Sequence, residues 1–541
     1  MQADYIIVGG GSAGCAVANR LSEDPSVKVI LLEAGGSGKG FWVDMPAGMA
    51  RLVGNPQTDW IDVAEPDPSL GGRALIWAHG KMLGGGGGIN GMVYYRGQRS
   101  DFDAWEQAGC TGWGWNDVFP YFIRNEDWRG DGEFQSHGRM GTMSVSHHRT
   151  RSPLVDKFVA AATRYGLSFL EDYCGGDIDG VFYSLAHQRN GRRCSPAEAY
   201  LTPARGRTNL TVLTNVLVDR INFKDGRATR VSARQGGRDV VYSAAREVIL
   251  SAGATNSPAI LMRSGIGPAD QLRAHGLAVV ADRANVGQNL MDHPTISLRW
   301  LTDLPSFNAR IAGPFGLARE FYRYLFKGDG VLSASMTQAM AGIKTTPDLE
   351  EPDVALFFSS FIFDPTKPPV KPGRAAIFPL LDKPAAGVSL FVSRPYSRGE
   401  IRLRGPSPDD RPEIHPRLLS DVRDVDTLMR AGRIVERLFA TPPLAEHVRG
   451  RLIPELHSDD EWRAFVRSVA GVSWHASGTC RMGSDAASVV DPELRVRGVD
   501  GLRVIDLSIM PSLVSGNTNA PAMMIGDRGA ALIRAGGDAR T

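Results

Sequence analysis

The chain has 541 residues, 43% hydrophobic and 22% charged, which excludes global disorder and exceeds what one simple core holds. Its 61 basic and 59 acidic residues leave a net charge of +2 with no basic tract, which argues against a nucleic-acid partner. No apolar run approaches the roughly 18–20 residues of a bilayer-spanning helix.

The first strand is expected from about residue 4, which leaves no room for a signal peptide. The five cysteines, Cys15, Cys110, Cys174, Cys194 and Cys480, are scattered without a C-x-x-C pair, and read as free thiols of a cytoplasmic protein. Tyr5-Ile6-Ile7-Val8 is a β-branched apolar run, the pattern of a strand buried on both faces of a parallel sheet. It runs into Gly9-Gly10-Gly11-Ser12-Ala13-Gly14, which fits G-x-G-x-x-G, and Ala13, Ala16, Val17 and Leu21 follow at helical spacing. A second run, Val27 to Leu32, ends on Glu33, nineteen residues after Gly14. Together these predict a βαβ dinucleotide site. The glycines admit phosphate to the backbone, the helix N-terminus stabilises pyrophosphate, and the acid accepts from a ribose.

Residues 37–80 read as long ordered loops. Gly84 to Gly88 are five glycines in a row, followed by a buried-looking Ile89-Asn90-Gly91-Met92-Val93, which predicts a second loop hugging a cofactor. Trp105, Trp113, Trp115 and Trp128 read as core. The adjacent His147 and His148 diverge in direction and read as a solvated loop, and no metal site is expected. Residues 209–250 alternate between turns at Lys224-Asp225-Gly226 and Gln235-Gly236-Gly237, a strand meander. Ser251 to Pro258 then opens a helix with Pro258 near its first turn. From about 295 to 460 the composition changes. Strands at Val388 to Ser393 and Glu400 to Arg404 and a helix from Val422 to about Ala440 suggest a separate lobe. The tail returns to glycine-bearing blocks around His475 and Asn517, with a small-residue helix from Ala522 to Ile533.

Four blocks together resemble the glucose-methanol-choline oxidoreductases: the N-terminal fingerprint, Gly80 to Asn90, Gly253 to Gly267, and the paired His475 and Asn517 blocks. Val286-Gly287-Gln288-Asn289-Leu290-Met291-Asp292-His293 also matches a recurring family stretch. The wording Trp474-His475-Ala-Ser-Gly-Thr looks most like bacterial hydroxymethylfurfural and aryl-alcohol oxidases, with choline-type and polyethylene-glycol dehydrogenases close. The resemblance implies an α/β fold. A Rossmann-like FAD-binding domain would be assembled from residues 1–294 and 465–541, and a lobe over 295–464 would carry an antiparallel sheet covered by helices.

By motif match, Gly9, Gly11, Ser12 and Gly14 would hold pyrophosphate, and Glu33, with Ala34 beside it, the adenosine ribose. Val218 would meet adenine. Leu83, Asn90, Gly91, Met92 and Val93 would follow the flavin, with Trp474, Asp506, Asn519 and Pro521 near the ribityl chain and ring. Met92, Ser473 and Trp474 would wall the substrate pocket. Many relatives carry serine at Gly86 to Gly88, so hydroxyl contacts there would be missing. Ile89 stands where some relatives carry a histidine that attaches FAD covalently, so noncovalent FAD is expected.

Alcohol oxidation needs a base for the hydroxyl proton and an acceptor for the α-hydride, which FAD would supply. His475 is the expected base. Asn517 is its expected partner, although spacing from His475 alone also admits Asn519. The expected activity is oxidation of a primary alcohol (aryl, furanic or similar) to the aldehyde, with possible onward oxidation to the acid. Oxygen would reoxidise the cofactor and give peroxide. Ser473 replaces a valine common in the family's oxidases, so a dehydrogenase using a quinone or other acceptor is the alternative. A hydroxynitrile lyase ranks below both. Sequence leaves oligomeric state and substrate open.

Overall fold

The computed structural model describes residues 1–132, 134–364 and 379–538. Its first sheet gathers seven strands from three distant stretches. Gln2–Val8 lies at the centre, parallel to Val29–Leu32 on one side and to Arg238–Leu250 on the other. Ile6, Ile7, Val29 and Leu31 are almost wholly buried, as a parallel strand covered on both faces requires. Arg238–Leu250 is long enough to serve two partners. Its first half pairs antiparallel with Arg227–Gln235, and its last residues pair parallel with Leu502–Val504.

The meander is real, with one difference. Val216–Lys224, Arg227–Gln235 and Arg238–Leu250 turn at Asp225-Gly226 and Gly236-Gly237. Leu210–Leu213 instead leaves it and extends the parallel edge beside Val29–Leu32.

Helices Ser12–Leu21 and Asn519–Asp538 pack together under this sheet. A Cβ on Gly526 would lie 2.5 Å from the Ala13 carbonyl, so the contact needs a residue without a side chain. The last helix is longer than the stretch expected from Ala522 to Ile533. Helix Gly253–Arg263 takes Pro258 into its interior rather than its first turn. Proline leaves the Ala254 carbonyl without its helical donor, and the Thr479 hydroxyl supplies one at 2.6 Å.

The second sheet has six antiparallel strands, with Pro294–Thr302 between Ala385–Val392 and Val448–Arg451. Helix Val422–Phe439 covers it and stacks Phe439 on Trp300 at 3.7 Å. The expected strands near Val388 and Glu400 lie at Ala385–Val392 and Gly399–Arg402. The short strand Gly471–Val472 joins this sheet beside Pro294 and Thr295. That pairing sets the site, because it carries residues 473–475 alongside Asp292 and His293.

The Trp-rich segment is core, with Trp105, Trp113, Trp115 and Trp128 all buried. The two histidines differ from expectation. His147 ends a strand, edge-on to Trp128. His148 is no solvated loop residue: its ring contacts the Ser184 hydroxyl, and burial depresses it to about 4.

Candidate active site

One elongated cavity is lined by the ends of the pieces just described. Val8, Gly9, Gly11, Ser12 and Ala13 come from the first strand and turn; Gly85 to Gly87 and Ile89 to Val93 from the glycine stretch; Ser251 to Asn256 from the turn after the long strand; and Ser473 to Ala476 and Asn517 to Asn519 from the tail. Two helices of ten and eleven residues, Ser12–Leu21 and Gly253–Arg263, point their N-termini at it; the first has no side-chain cap, while in the second Asp506 accepts from the Gly253 amide. The last helix begins at its wall, where the Ser12 hydroxyl meets Asn519 Oδ1 at 2.7 Å. Uncapped helix N-termini leave backbone donors that an anionic diphosphate satisfies.

The glycine stretch lies against this wall and turns into a short helix, Gly86–Ile89. A Cβ on Gly87 would sit 2.5 Å from the Pro196 ring and 2.8 Å from Asn519 Oδ1, so no serine fits there as the chain stands. Glu33 binds the turn itself: its two oxygens accept from the Gly10 and Gly35 amides at 2.8 Å. Burial raises its pKa against these bonds. Asp506 accepts from Ser257 Oγ and from the Gly253 amide.

The far end is built by a bulge. Thr295 faces Gly471 and Pro294 faces Val472, yet Met291 bridges to Ser477. Residues 473–476 therefore stand opposite only Asp292 and His293. The excess forces Trp474 into the left-handed region, φ 59°, where a bulky residue is strained. Asp292 pins the strain from both sides, accepting from the Ser473 amide at 3.1 Å and the His475 amide at 3.0 Å. Burial lifts this carboxyl to about 7 against those bonds. The Trp474 indole donates to the Ile76 carbonyl at 3.0 Å, and the Ser473 hydroxyl donates to the His293 carbonyl at 3.1 Å.

The bulge presents His475 to the cavity between two partners. His293 Nε2 lies 3.0 Å from two carbonyls, of Ser393 and Val514, so it carries the proton there. Its Nδ1 is then an acceptor and lies 2.8 Å from His475 Nδ1, which must donate. That assignment leaves the lone pair on His475 Nε2, where it accepts from Asn517 Nδ2 at 3.2 Å until a substrate hydroxyl takes that place. Burial depresses His475 to about 3. Burial and the neighbouring His475 push His293 well below its ordinary range. Both rings are neutral. Asn517 Oδ1 is buried with no donor among the described residues, an acceptor left for a ligand.

Comparison with known proteins decides the family. The N-terminal GMC oxidoreductase model matches residues 3–295 and the C-terminal one residues 395–526. The chain is a GMC oxidoreductase. This oxidoreductase is 39% identical to an alcohol dehydrogenase [acceptor] of Pseudomonas putida, over 98% of its own length and 95% of the relative's. It is 38% identical to an oxygen-dependent choline dehydrogenase of Sinorhizobium fredii with the same coverage. Its fold matches the crystal structure of pyridoxine 4-oxidase from Mesorbium loti with a TM-score of 0.87. Sequence identity there is 32%, over 98% of this chain and 99% of that one. The GMC oxidoreductase is thus an FAD-binding enzyme acting on CH–OH donors, and the cavity's uncapped helix end and crowded glycines fit that cofactor.

Of the residues expected at the site, Gly9, Gly11, Ser12, Glu33, Ala34, Asn90, Gly91, Met92, Val93, Val218, Ser473, Trp474, His475, Asp506, Asn517 and Asn519 line this one cavity. Gly14, Leu83 and Pro521 do not. A Cβ on Gly14 would meet the Gly9 carbonyl at 2.0 Å, so that glycine serves strand-to-helix packing. Leu83 packs beside Gly10, and Pro521 lies buried within the first turn of the last helix.

Asp292 and His293 close the stretch Val286 to His293, and the sequence alone assigns them no role. The signal was their place immediately before the strand Pro294–Thr302, which only the pairing with Gly471–Val472 makes meaningful. Three potential metal ligands, His137, Asp172 and Cys174, lie together elsewhere. His137 contacts both Glu126 and Asp172, and Glu126 pairs with buried Arg96. Against its burial, hydrogen bonds to Asp172, Cys174 and Glu126 raise His137 to about 11, so it stays a cation.

Proposed function

We propose that this enzyme oxidises a neutral primary alcohol, aryl, furanic or of similar shape, to its aldehyde, with His475 as the base. The observation that carries the reading is the tautomer: His475 Nδ1–H is engaged by His293, so Nε2 offers a lone pair beside Asn517.

FAD held in the cavity supplies the acceptor for the α-hydride. A hydroxyl seated between His475 Nε2 and Asn517 gives its proton to Nε2. Asn517 Nδ2 then donates to the oxygen on which negative charge develops, an amide that stabilises without competing as a base. The imidazolium charge is shared with His293, whose Nδ1 keeps accepting. Met92, Ser473 and Trp474 wall the substrate. Gly9, Gly11 and Ser12 take the pyrophosphate, Glu33 the ribose, Val218 the adenine, and Asn90 to Val93, Asp506 and Asn519 the flavin side. Ile89, at the end of the glycine stretch, offers no nucleophile for covalent attachment, so FAD is noncovalent.

Choline fits poorly. Among the described residues, the cavity's carboxylates are Glu33 and Asp506, both at cofactor segments. The Trp60 ring already has the Arg411 guanidinium at 4.1 Å and the Lys81 ammonium at 4.8 Å. A quaternary ammonium thus finds no acid outside the cofactor segments and no free face on Trp60, which leaves it the Trp474 ring at the pocket wall.

Oxygen as final acceptor gives peroxide in equal amount to aldehyde. Ser473, polar where an oxidase favours an apolar wall, supports a second reading in which a quinone or similar compound is the acceptor. Mixing the holoenzyme anaerobically with benzyl, furfuryl and aliphatic alcohols and choline should bleach bound flavin with the first three. Repeating it in air and with a soluble quinone separates the acceptors. A protein that no alcohol reduces would sink the proposal.

A further inference from the structure

Helix Gly313–Lys327 turns one face inward and leaves the other without a partner among the described residues. Tyr324 and Glu320 are buried, and Phe321 stacks on Phe41 at 6.3 Å. On the outer side Phe315 is 90% exposed, Phe326 74%, Tyr322 56% and Leu325 51%. Residues 315, 318, 322, 325 and 326 follow helical spacing, so Ala318 joins these rings in one stripe. Large apolar side chains gathered on one exposed face mark an interaction surface rather than the scatter usual on a soluble protein.

Charge says what the surface meets. Arg319, Arg323 and Lys327 flank the stripe. The helix's single acid, Glu320, has its side chain fully buried, where it accepts from Arg310, Arg319 and the Val331 amide. Just beyond the helix, Asp329 pairs with Arg323. The outward face therefore shows aromatic and aliphatic groups with three cations, of which Lys327 alone has no ion pair among the described residues. A second copy of the chain docked face to face would set those cations against their equivalents. An anionic bilayer complements both features at once: rings enter the acyl boundary and cations meet the headgroups.

We propose that helix Gly313–Lys327 is a docking face for an anionic lipid surface, lying in the plane of the membrane without crossing it. The helix packs on the segment whose later residues wall the cofactor cavity. Phe41, itself exposed, stacks on Phe321 and meets Tyr324 edge-on, and the turns that follow it carry Met49 and Val53 into the cavity wall. Docking turns the segment from residue 41 to 53 towards the lipid, which gives apolar alcohols and lipid-borne electron acceptors a short path. The surface goes beyond the alcohol reading and stands apart from it, because binding to vesicles requires no turnover.

The test is sedimentation of the FAD-loaded enzyme with vesicles of phosphatidylglycerol and phosphatidylcholine, beside vesicles of phosphatidylcholine alone. Binding is expected to the anionic vesicles, to weaken with added salt, and to fall by about tenfold in Phe315→Ser/Phe326→Ser and in Lys327→Glu. Bound flavin absorbance and anaerobic reduction by alcohol should stay at wild-type values in both variants, which shows that each is folded. Failure to sediment at low ionic strength, or variants that bind like wild type, overturns the proposal. So does light scattering that finds a dimer dispersed by Phe315→Ser/Phe326→Ser, since the face would then cover a second copy.

Discussion

His293 Nδ1 lies 2.8 Å from His475 Nδ1, and the opposite side of the His293 ring is held by two backbone carbonyls. The direction of every proton in this chain is fixed by its buried end. Carbonyls only accept, so His293 donates to them, His475 donates to His293, and Nε2 keeps the lone pair that accepts from Asn517 Nδ2. His293→Phe should lower the rate of flavin reduction by alcohol about tenfold or more with FAD still bound, because the His475 tautomer is no longer enforced. Anaerobic stopped-flow across pH checks it; a variant with unchanged rate and pH profile contradicts the tautomer argument.

His475→Ala should keep the yellow holoenzyme and cost roughly 10²–10⁴ in the reductive rate, the usual worth of a general base. Asn517→Ala should cost less in proton transfer and more in stabilising the developing alkoxide. The same single-turnover measurement should show a loss that persists at high pH, where a base is easier to replace than a donor.

The pH dependence has two opposed parts. His475 titrates at about 3 in the folded chain and at its ordinary 6.5 when unfolded. Its contribution to stability is complete above 6.5 and lost as pH falls towards 3, since only the unfolded chain then takes the proton. Asp292 is raised from 3.8 to about 7. The folded chain keeps a proton that the unfolded chain releases, so this contribution is present at low pH and lost as pH rises through 7. Melting curves of His475→Gln should show less acid destabilisation below 6.5 than wild type. The acid limb of kcat/KM should show no break near 6.5.

Two neighbouring glycines test different contacts with one methyl group. Gly87→Ala drives a Cβ into the Pro196 ring and Asn519, both at the cavity wall, and should release FAD. Gly86→Ala meets no protein atom within 4 Å, so a loss of FAD there reports contact with the cofactor itself rather than a distorted wall. The ratio of flavin to protein absorbance after gel filtration measures both.

Asp292→Asn keeps one acceptor for two amides and faces the other with an N–H group. An unsatisfied buried donor costs about 1–3 kcal/mol, and here it also frees Trp474 from its left-handed turn. A lower melting temperature at neutral pH, with a raised KM for alcohol, is the expected pair of changes.

The nucleotide end was legible because its determinants are local. Tyr5 to Glu33 contains its own strand, turn, helix and acid, and each is recognisable from spacing within thirty residues. The strands at 216–250 and the helix at 422–439 were legible for the same reason, from periodicity and turn residues. The parallel position of Leu210–Leu213 was not, since nothing in four apolar-polar residues says which edge they join. Nor was the interior place of Pro258, which depends on Thr479 reaching a carbonyl from another block.

By itself the chain pointed to a dinucleotide on Gly9 to Gly14, from a short run complete in itself. It pointed to His475 only through the resemblance of its block to a family, since a lone histidine carries no such signal. Only the tertiary structure decided what His475 touches. Two strands separated by more than 170 residues pair at Thr295 and Gly471, and the surplus beyond that pairing becomes the bulge that seats His475 on His293. Register between distant strands is set by the packing of a whole sheet, and no local pattern encodes it.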